Sequence, residues 1–208
     1  MINARLSMQF DVTPNIVNRV TTLVNSAYSM AEHGLWQKTV QRVQHAEIAE
    51  RLERSELMIA TINGEIMGVV SVETLDDNTG GFGMLATDPV IRGLGVGRAL
   101  IHAAERWALN QGLTVMRLEL LTPRTWRHPV KESLKAWYRR LGYAPHSTMP
   151  FDQMYPHLHD RLATKCDFTV WLKTLSTEQI FETSTRHRPQ VHGRPIRQRI
   201  RVMNDPVD

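Results

Sequence analysis

The chain has 208 residues, of which 42% are hydrophobic and 22% are charged, and it contains a single cysteine. This composition is that of an ordinary globular protein, and the length is sufficient for one domain with a hydrophobic core. A single cysteine excludes an internal disulfide framework and a cysteine-based zinc cluster. The sequence has neither an apolar run of about 18 residues nor the layout of a signal peptide, so we expect a cytoplasmic protein without a membrane partner.

The net charge of +4 is partly concentrated near the C-terminus, where six arginines follow Leu175. A basic surface attracts polyanions such as CoA phosphates or RNA. Because basic segments are commonly only solvated, we expect one domain over residues 1–175 and a basic polar tail over residues 176–208, without a nucleic-acid partner. A tail that packs on a second subunit, and so supports a homodimer, remains an alternative.

Hydrophobic periodicity predicts the element order β-α-α-β-β-β-α-β-α-β-β, which is typical of a mixed α/β domain with a mostly antiparallel sheet. The predicted strands cover residues 5–12, 56–62, 65–75, 80–87, 113–121, 143–146 and 166–172. The predicted helices run from Pro14 to a break at Gly34 and over residues 39–53, 97–110 and 130–141.

Three local signals set element boundaries. Thr13-Pro14 is typical of a helix start, with proline in the first turn. Asn63-Gly64 between two predicted strands indicates a type I′ hairpin turn. Gly112 follows the last apolar position of the third predicted helix and indicates its C-terminal end.

A glycine-rich turn, Arg92 to Arg98 (RGLGVGR), lies between a predicted strand and a predicted helix. In this context the backbone N–H groups at the helix N-terminus are exposed, and the helix dipole favours negative charge there. Glycines allow positive φ and a close approach of the backbone to a ligand. The turn therefore predicts a binding site for a pyrophosphate.

Three kinds of phosphate-binding turn compete for this segment. A P-loop requires Lys-Ser or Lys-Thr after its last glycine, and neither follows here. A dinucleotide-binding G-x-G-x-x-G fails because Arg98 or Leu100 stands where the third glycine is needed. The remaining pattern, Q/R-x-x-G-x-G/A, is satisfied by Arg92, Gly95 and Gly97.

With this pattern, residues 84–97 resemble the fourth strand, the loop and the third helix of the GNAT superfamily of N-acetyltransferases. Residues 134–143 (LKAWYRRLGY) are similar to the A-x-x-x-Y-x-x-x-G-F helix end of that family. The predicted element order also matches, and the resemblance covers roughly residues 5–172. It implies a GNAT-like acyl-CoA acyltransferase fold, with a twisted, mostly antiparallel sheet of about seven strands flanked by about four helices.

The resemblance also implies the acyl donor and the way it binds. Acetyl-CoA is the expected co-substrate, without a metal, and its acetyl group passes directly to a primary amine. The glycine-rich turn would bind the pyrophosphate through Arg92, Gly93, Leu94, Gly95, Val96, Gly97 and Arg98. Main-chain groups of the preceding strand would hold the pantetheine arm and polarise the thioester carbonyl like an oxyanion hole, at Leu85, Ala86 and Thr87.

Two catalytic residues are carried over from the same resemblance. Tyr138 matches the family tyrosine that acts as general acid, and a phenol with an ordinary pKa of about 10 is protonated at neutral pH and can donate to the CoA thiolate. Glu119 lies in an apolar run, where some members carry a glutamate that acts as general base through water. Burying a carboxylate is costly, which favours a function for Glu119. Glu73 is the second candidate for the base. The structural alternatives are that Tyr138 is only a packed aromatic residue and that Glu119 only forms a salt bridge.

The chain departs from the family in the helix that carries Tyr138. Lys131 stands where many members have an asparagine that contacts CoA, and Leu134 stands where they usually have alanine. Lys131 or Arg127 is therefore an alternative contact for the CoA phosphates.

Three other features carry less weight. His157, His159 and Asp160 have no further ligand cluster nearby, which favours a histidine pair in a loop over a metal site. Cys166 is expected to pack in the last strand. Trp36 either lines the acceptor pocket or lies in the core.

We expect a small-molecule amine as acceptor, because nothing in the sequence indicates an extended peptide groove, and a protein amine remains the alternative. A function of another class is a non-catalytic acyl-CoA-binding module whose basic tail contacts a partner or nucleic acid. Tyr138 favours the enzyme, since a module that only binds acyl-CoA does not need an acid at that position.

Overall fold

The computed structural model describes residues 1–37 and 41–176. They form a seven-stranded sheet with helices on both faces. The strands are β1 Ile2–Leu6, β2 Leu57–Ile62, β3 Glu65–Thr74, β4 Thr79–Thr87, β5 Val115–Pro123, β6 Ala144–Pro150 and β7 Cys166–Thr174. The helices are α1 Pro14–Ala31, α2 His45–Glu53, α3 Val96–Asn110, α4 Pro129–Arg140 and the short α5 Phe151–Met154. None of these helices is both long and apolar enough to cross a membrane.

The sheet order is β1-β2-β3-β4-β5-β7-β6, and every neighbouring pair is antiparallel except β4 and β5. The predicted mixed α/β architecture, the mostly antiparallel sheet and the element order are thereby confirmed. The short α5 is an addition to the predicted helices, because its 4 residues are too few for a periodic pattern. The first two residues of the helix predicted over 39–53 and the tail beyond residue 176 lie outside the described residues.

Both faces of the sheet are covered, which explains why β3 is apolar at successive positions. Val69 and Val70 are both fully buried, although adjacent strand residues point to opposite faces. Val70 packs with Leu100 of α3 in one cluster, and Val69 packs with Val24 of α1 in another. Burial of side chains of this size contributes about 1.5–3 kcal/mol each to stability. The helices α1 and α2 therefore cover one face, and α3 and α4 cover the other.

The three local signals are confirmed. Thr13 caps α1, because its hydroxyl oxygen accepts a hydrogen bond from the Ile16 N–H. Asn63 and Gly64 have φ values of 52° and 86°, and a type I′ turn requires positive φ at both positions. Gly112 follows α3 with a φ of 80° and directs the chain back into the sheet.

The first strand, predicted over residues 5–12, ends at Leu6. The Asp11 carboxylate accepts a hydrogen bond from the Met8 N–H at 2.8 Å and one from the Arg5 guanidinium at 2.6 Å. These bonds fold the residues after Leu6 into a 3₁₀ turn, because a local side-chain acceptor competes with the strand ladder for the backbone donors. The predicted end of the strand is therefore wrong.

The second helix begins at His45 and not near residue 39. The side-chain oxygen of Asn25 accepts hydrogen bonds from the N–H groups of Arg42 and Val43, at 2.9 and 3.1 Å. These bonds hold the segment before α2 in a non-helical path and fix it against α1. Val43 is buried, as its inward position predicts.

The last strands end later than the sequence predicts. β5 continues to Pro123 and β6 to Pro150, because both remain paired with β7 over these residues. The side chains of β6 are almost all exposed. The alternation of buried and exposed residues on which the prediction depends is therefore absent from β6.

β4 and β5 separate in the middle of the sheet. Their pairing runs only from Thr79–Val115 to Gly81–Arg117, although β4 continues to Thr87 and β5 continues well beyond Arg117. On their other sides, β4 is paired with β3 and β5 with β7. A gap therefore opens between the two strands, and one backbone edge of β4 faces it without a strand partner.

A β-bulge lies in β4 beside this gap. Between the pairs Val69–Ala86 and Ser71–Gly83, β4 has one residue more than β3. Met84 in this bulge has a φ of 49°, in the left-handed region that side chains other than glycine rarely adopt. Bulges bend a strand and redirect its backbone groups, and this one does so where the strand borders the gap.

Glu105 of α3 lies in a buried polar cluster. The Tyr143 hydroxyl and the Lys173 ammonium each donate to Oε1 of Glu105 at 2.8 Å, and Nδ1 of His102 lies 3.5 Å from Oε2. Burial by itself raises the pKa of this carboxyl, but the hydrogen bonds from His102, Lys173 and Tyr143 outweigh it and lower the pKa below its ordinary value. The cluster connects α3 to β7.

We predict that Glu105→Gln lowers the free energy of unfolding by about 3 kcal/mol at neutral pH, because Lys173 is left without its charge partner. A lowered folded-state pKa adds stability above the unfolded-state pKa, and this stability is lost as the pH falls through the folded-state pKa. The difference in the free energy of unfolding between wild type and Glu105→Gln, measured by urea unfolding, should therefore shrink as the pH falls from neutral to about 3. Glu50→Gln, in an exposed pair with Arg54, is the control and should cost less than about 0.5 kcal/mol. A difference that stays constant over this range would contradict the prediction.

Candidate active site

A cavity of about 2090 Å³ occupies the gap between β4 and β5. The glycine-rich turn, the start of α3 and part of α4 line it from one face of the sheet. Side chains of α1, α2 and α5 line it from the other face. The gap thus connects two groups of residues that a continuous sheet would separate.

The turn before α3 presents unpaired backbone donors. Gly93 and Gly95 have φ values of 89° and 86°, and this left-handed geometry turns the chain into the helix. The Leu94 N–H is already bonded to the Ile91 carbonyl at 3.2 Å. Among the described residues, no acceptor is bonded to the remaining N–H groups of the turn, those of Gly93, Gly95, Val96, Gly97 and Arg98. Such a group of donors at a helix N-terminus is suited to bind an anion.

The three glycines of the turn have different roles. A Cβ atom at Gly93 or Gly95 would meet nothing within 4 Å, so both positions leave space for a ligand. A Cβ atom at Gly97 would lie 3.4 Å from the Trp137 ring of α4 and 3.8 Å from the Thr87 side chain. Gly97 therefore lets the start of α3 pack closely against α4 and the end of β4.

All the residues that the sequence assigns to the binding of acetyl-CoA through the turn and β4 line this cavity. In addition to the turn residues Gly93 to Gly97, they include the exposed Arg92 and Arg98. They also include Leu85, Ala86 and Thr87. These last three lie where β4 has no strand partner on the β5 side, so their backbone is accessible from the gap.

Tyr138 of α4 is buried and lines the same cavity. Its ring packs against Trp137, with centroids 5.1 Å apart, and against Phe82 at 6.2 Å. Its hydroxyl forms no hydrogen bond with residues 1–37 and 41–176. Burial raises the pKa of Tyr138 well above the ordinary value of 10.0, which keeps the phenol protonated and able to donate.

Glu119 reaches the cavity from the opposite face of β5. Its neighbours Leu118 and Leu120 pack in the cluster that contains Tyr138, so the alternation of the strand turns Glu119 the other way. Arg117 on the same face forms a salt bridge with Oε1 of Glu119, and the Tyr155 hydroxyl donates to Oε2 at 3.2 Å. Both carboxylate oxygens therefore have protein partners.

Glu73, the second candidate for the base, lies in the same row of the sheet. It is paired across the ladder with Gly81, which in turn is paired with Arg117. Glu73 lines the cavity and forms no hydrogen bond or salt bridge with another described side chain. The structure thus places Glu119 and Glu73 on one wall of the cavity.

Lys131, which the sequence offers as one alternative contact for the CoA phosphates, is buried in an ion pair with Glu32. Its ammonium is buried and donates to Oε1 of Glu32 at 2.6 Å, while the Trp36 indole donates to Oε2 at 2.5 Å. This buried ion pair connects α4 to the end of α1. Trp36 also packs edge-on against Phe151 at 5.6 Å, so it both lines the cavity and belongs to a core cluster. Arg127 is exposed and is not part of the cavity wall.

Tyr28 and Arg42 also line the cavity, and neither was predicted from the sequence as a site residue. Arg42 lies over the Tyr28 ring, with its guanidinium carbon 5.0 Å from the ring centroid. The helical spacing from Val24 to Tyr28 would have indicated that Tyr28 faces inward. No sequence signal indicated Arg42, because its position depends on the bonds to Asn25.

The features of lesser weight show no sign of further chemistry. Cys166 is buried in β7, as expected, and burial raises the pKa of its thiol to about 11, which makes it a poor nucleophile. Within the part of the chain that the structure describes, no group of three or more histidine, cysteine, aspartate or glutamate side chains could hold a metal ion.

The sequence of residues 18–143 matches the family model for the acetyltransferase (GNAT) family. No curated protein sequence matches the chain significantly. Similar folds occur in solved structures. YncA from Salmonella typhimurium, with its cofactor acetyl-CoA, is 16% identical with a TM-score of 0.60, over 85% of this chain and 95% of that one.

Two further similar structures are enzymes with different acceptors. The ribosomal-protein-S18-alanine N-acetyltransferase from Escherichia coli is 14% identical with a TM-score of 0.56, over 85% of this chain and 96% of that one. An aminoglycoside 6′-N-acetyltransferase complexed with coenzyme A is 14% identical with a TM-score of 0.60, over 83% and 96%. Identities this low support the fold alone. The family match, however, spans more than half of the sequence, and this chain therefore belongs to the GNAT acetyltransferase family.

Proposed function

We propose that the protein is an N-acetyltransferase that moves an acetyl group from acetyl-CoA to a primary amine within a ternary complex. The observation that carries this proposal is the gap between β4 and β5, which joins the unpaired amides of the turn, Tyr138 and Glu119 in one cavity. The acetyl-CoA and coenzyme A bound in two of the similar structures support the choice of donor.

The donor would bind mainly to the backbone. The free amides of Gly93 and of residues 95–98 would bind the pyrophosphate, assisted by the helix dipole and by the charges of Arg92 and Arg98. The unpaired β4 edge at Leu85–Thr87 would hydrogen-bond the amides of the pantetheine arm. A backbone N–H of this edge would also polarise the thioester carbonyl as negative charge develops on its oxygen.

The transfer step needs a base and an acid. The acceptor ammonium loses a proton through water to Glu119, and the free amine nitrogen then attacks the thioester carbon. The new C–N bond forms and the C–S bond breaks. The CoA thiolate takes the phenol proton of Tyr138, which is restored by the proton that the new amide nitrogen releases.

We predict that wild-type protein binds acetyl-CoA with a dissociation constant in the micromolar range and that Gly95→Glu weakens this binding at least about hundredfold. A glutamate there would place bulk and negative charge where the phosphates approach. Calorimetric titration measures both proteins. Gly64→Glu is a matched control, because Gly64 has the same φ of 86° and equally open surroundings but lies in the β2–β3 hairpin. Failure of the folded wild-type protein to bind acetyl-CoA would refute the proposed function.

We predict that Tyr138→Phe lowers kcat about 10²-fold, because the departing thiolate loses its proton donor. Binding of acetyl-CoA and the unfolding midpoint should change little, since the hydroxyl has no hydrogen-bond partner among the described residues. CoA release is measured with a mixed panel of amines. Because the pKa of Tyr138 is raised, its titration should not contribute a fall in wild-type activity below about pH 10. An unchanged kcat would make Tyr138 a packing residue only.

We predict that Glu119→Gln lowers kcat more than Glu73→Gln does, by about 10²-fold at neutral pH. The deficit of Glu119→Gln should shrink as the pH approaches the pKa of the acceptor amine, where the amine no longer needs a base. Glu65→Gln, exposed in the β2–β3 hairpin, serves as the control and should match the wild type. The reverse ranking would assign the base to Glu73.

A further inference from the structure

The charges of the cavity wall formed by α1, α2 and the sheet are mostly paired. Arg51 lies 3.3 Å from Glu47 and 3.6 Å from Glu56. Lys131 is paired with Glu32, and Arg117 is paired with Glu119. Arg42 differs, because it forms no salt bridge with a carboxylate of the described residues. Glu32 and Glu47 act on Arg42 electrostatically without forming a salt bridge. An arginine that has no carboxylate in direct contact is available to bind one from a ligand.

Arg42 is held in position by protein contacts. Its backbone N–H donates to the side-chain oxygen of Asn25 at 2.9 Å. Its guanidinium carbon lies 5.0 Å from the centroid of the Tyr28 ring. Its charge also opposes the rise that burial and Glu119 cause in the pKa of Tyr155. Arg42 is therefore close enough to act electrostatically on both Tyr28 and Tyr155, and Tyr155 itself donates to Glu119.

The strands β3 and β5 carry the other half of the pattern. Glu73, which forms no salt bridge with a described residue, provides negative charge suited to an amine, and Glu119 adds a carboxylate that Arg117 and Tyr155 already contact. Between these two glutamates the residues of β4 on the same face are glycines, Gly81 and Gly83, and the Glu73 side chain lies over Gly81, 3.2 Å from where a Cβ atom would be. The cavity thus combines a cation at the helices with carboxylates at the sheet, a pattern complementary to a ligand of both charges.

We propose that the acceptor is a small zwitterionic amine, a molecule of the amino-acid type whose carboxylate is bound by Arg42 while its amine faces Glu119. The inference rests on the proposed transferase function and specifies its substrate class. Acetylation removes the positive charge of the amine and leaves the carboxylate. The product therefore loses its attraction to Glu119 and Glu73, which favours its release.

The test compares acceptors that differ at the acid group. The probes are L-amino acids, their carboxamides and the alkylamines that lack the carboxyl group altogether. The carboxamides are a stringent comparison, because loss of the carboxylate lowers the pKa of the amine and makes it easier to deprotonate. CoA release should give a kcat/KM for the best amino acid at least about tenfold above that of its carboxamide and alkylamine.

Arg42→Gln should lower kcat/KM for the amino acid about tenfold to a hundredfold, mainly through KM, and should remove the preference over the alkylamine. Arg51→Gln is the matched control on the same wall, and its effect on the preference should stay below about threefold because Arg51 already has carboxylate partners. Equal use of amino acids and alkylamines by wild type, or a preference unchanged in Arg42→Gln, would overturn the inference and leave the transferase function intact.

A binding measurement separates this inference from the proposed function. Amino acids are titrated calorimetrically into wild type and Arg42→Gln, each saturated with CoA, so that no turnover is needed. Binding that requires Arg42, without turnover of any amine, would support the ligand class and overturn the transferase function. Absence of amino-acid binding and turnover in a protein that binds CoA, or turnover only of aminoglycosides or peptide N-termini, would overturn the inference.

Discussion

The end of the β4–β5 pairing at Gly81–Arg117 is the constraint on which the site depends. Neighbouring strands normally continue to pair, because unpaired backbone groups away from water are costly. Here β4 leaves β5 while keeping β3 as its partner, and the bulge at Met84 changes the direction of its backbone beside the gap. The unpaired edge can be satisfied by a ligand that carries amides of its own. The same gap lets groups from both faces of the sheet meet in one cavity.

An opening in the centre of a sheet needs other contacts to hold its sides in place. On one face, the missing side chain of Gly97 allows Trp137 to pack on the start of α3 and so places α4 beside the end of β4. Across the gap, the buried pair of Lys131 with Glu32 connects α4 to the end of α1. Such a pair adds little net stability, since desolvation offsets the attraction, but breaking it leaves a buried charge. The pair therefore fixes the position of α4, which carries Tyr138, relative to the end of α1.

The sequence predicted the parts of the fold that depend on neighbouring residues. The Asn63-Gly64 turn, the start of α1 and the glycine-rich turn are contiguous signals, and each lies where expected. The end of β1 was wrong because of a local acceptor, Asp11, but other errors arose where a distant side chain decides the outcome. Asn25 delays the start of α2, and Glu32 binds Lys131, which lies 99 residues away in sequence. Arg42 was missed for the same reason, because it becomes part of a site only when the fold places it over the Tyr28 ring of α1.

The local and the distant signals correspond to the two halves of the proposed reaction, the donor side and the acceptor side. The donor side consists of main-chain donors, a helix dipole and an unpaired strand edge, so it requires glycine only where φ is positive or a helix packs closely. Few residue identities are then fixed, which is consistent with a shared fold at 14–16% identity. The acceptor side depends instead on side-chain charge, on Arg42, Glu119 and the ion pairs around them. The family match therefore supports the proposed donor, whereas the proposed acceptor is inferred from the charges of this cavity.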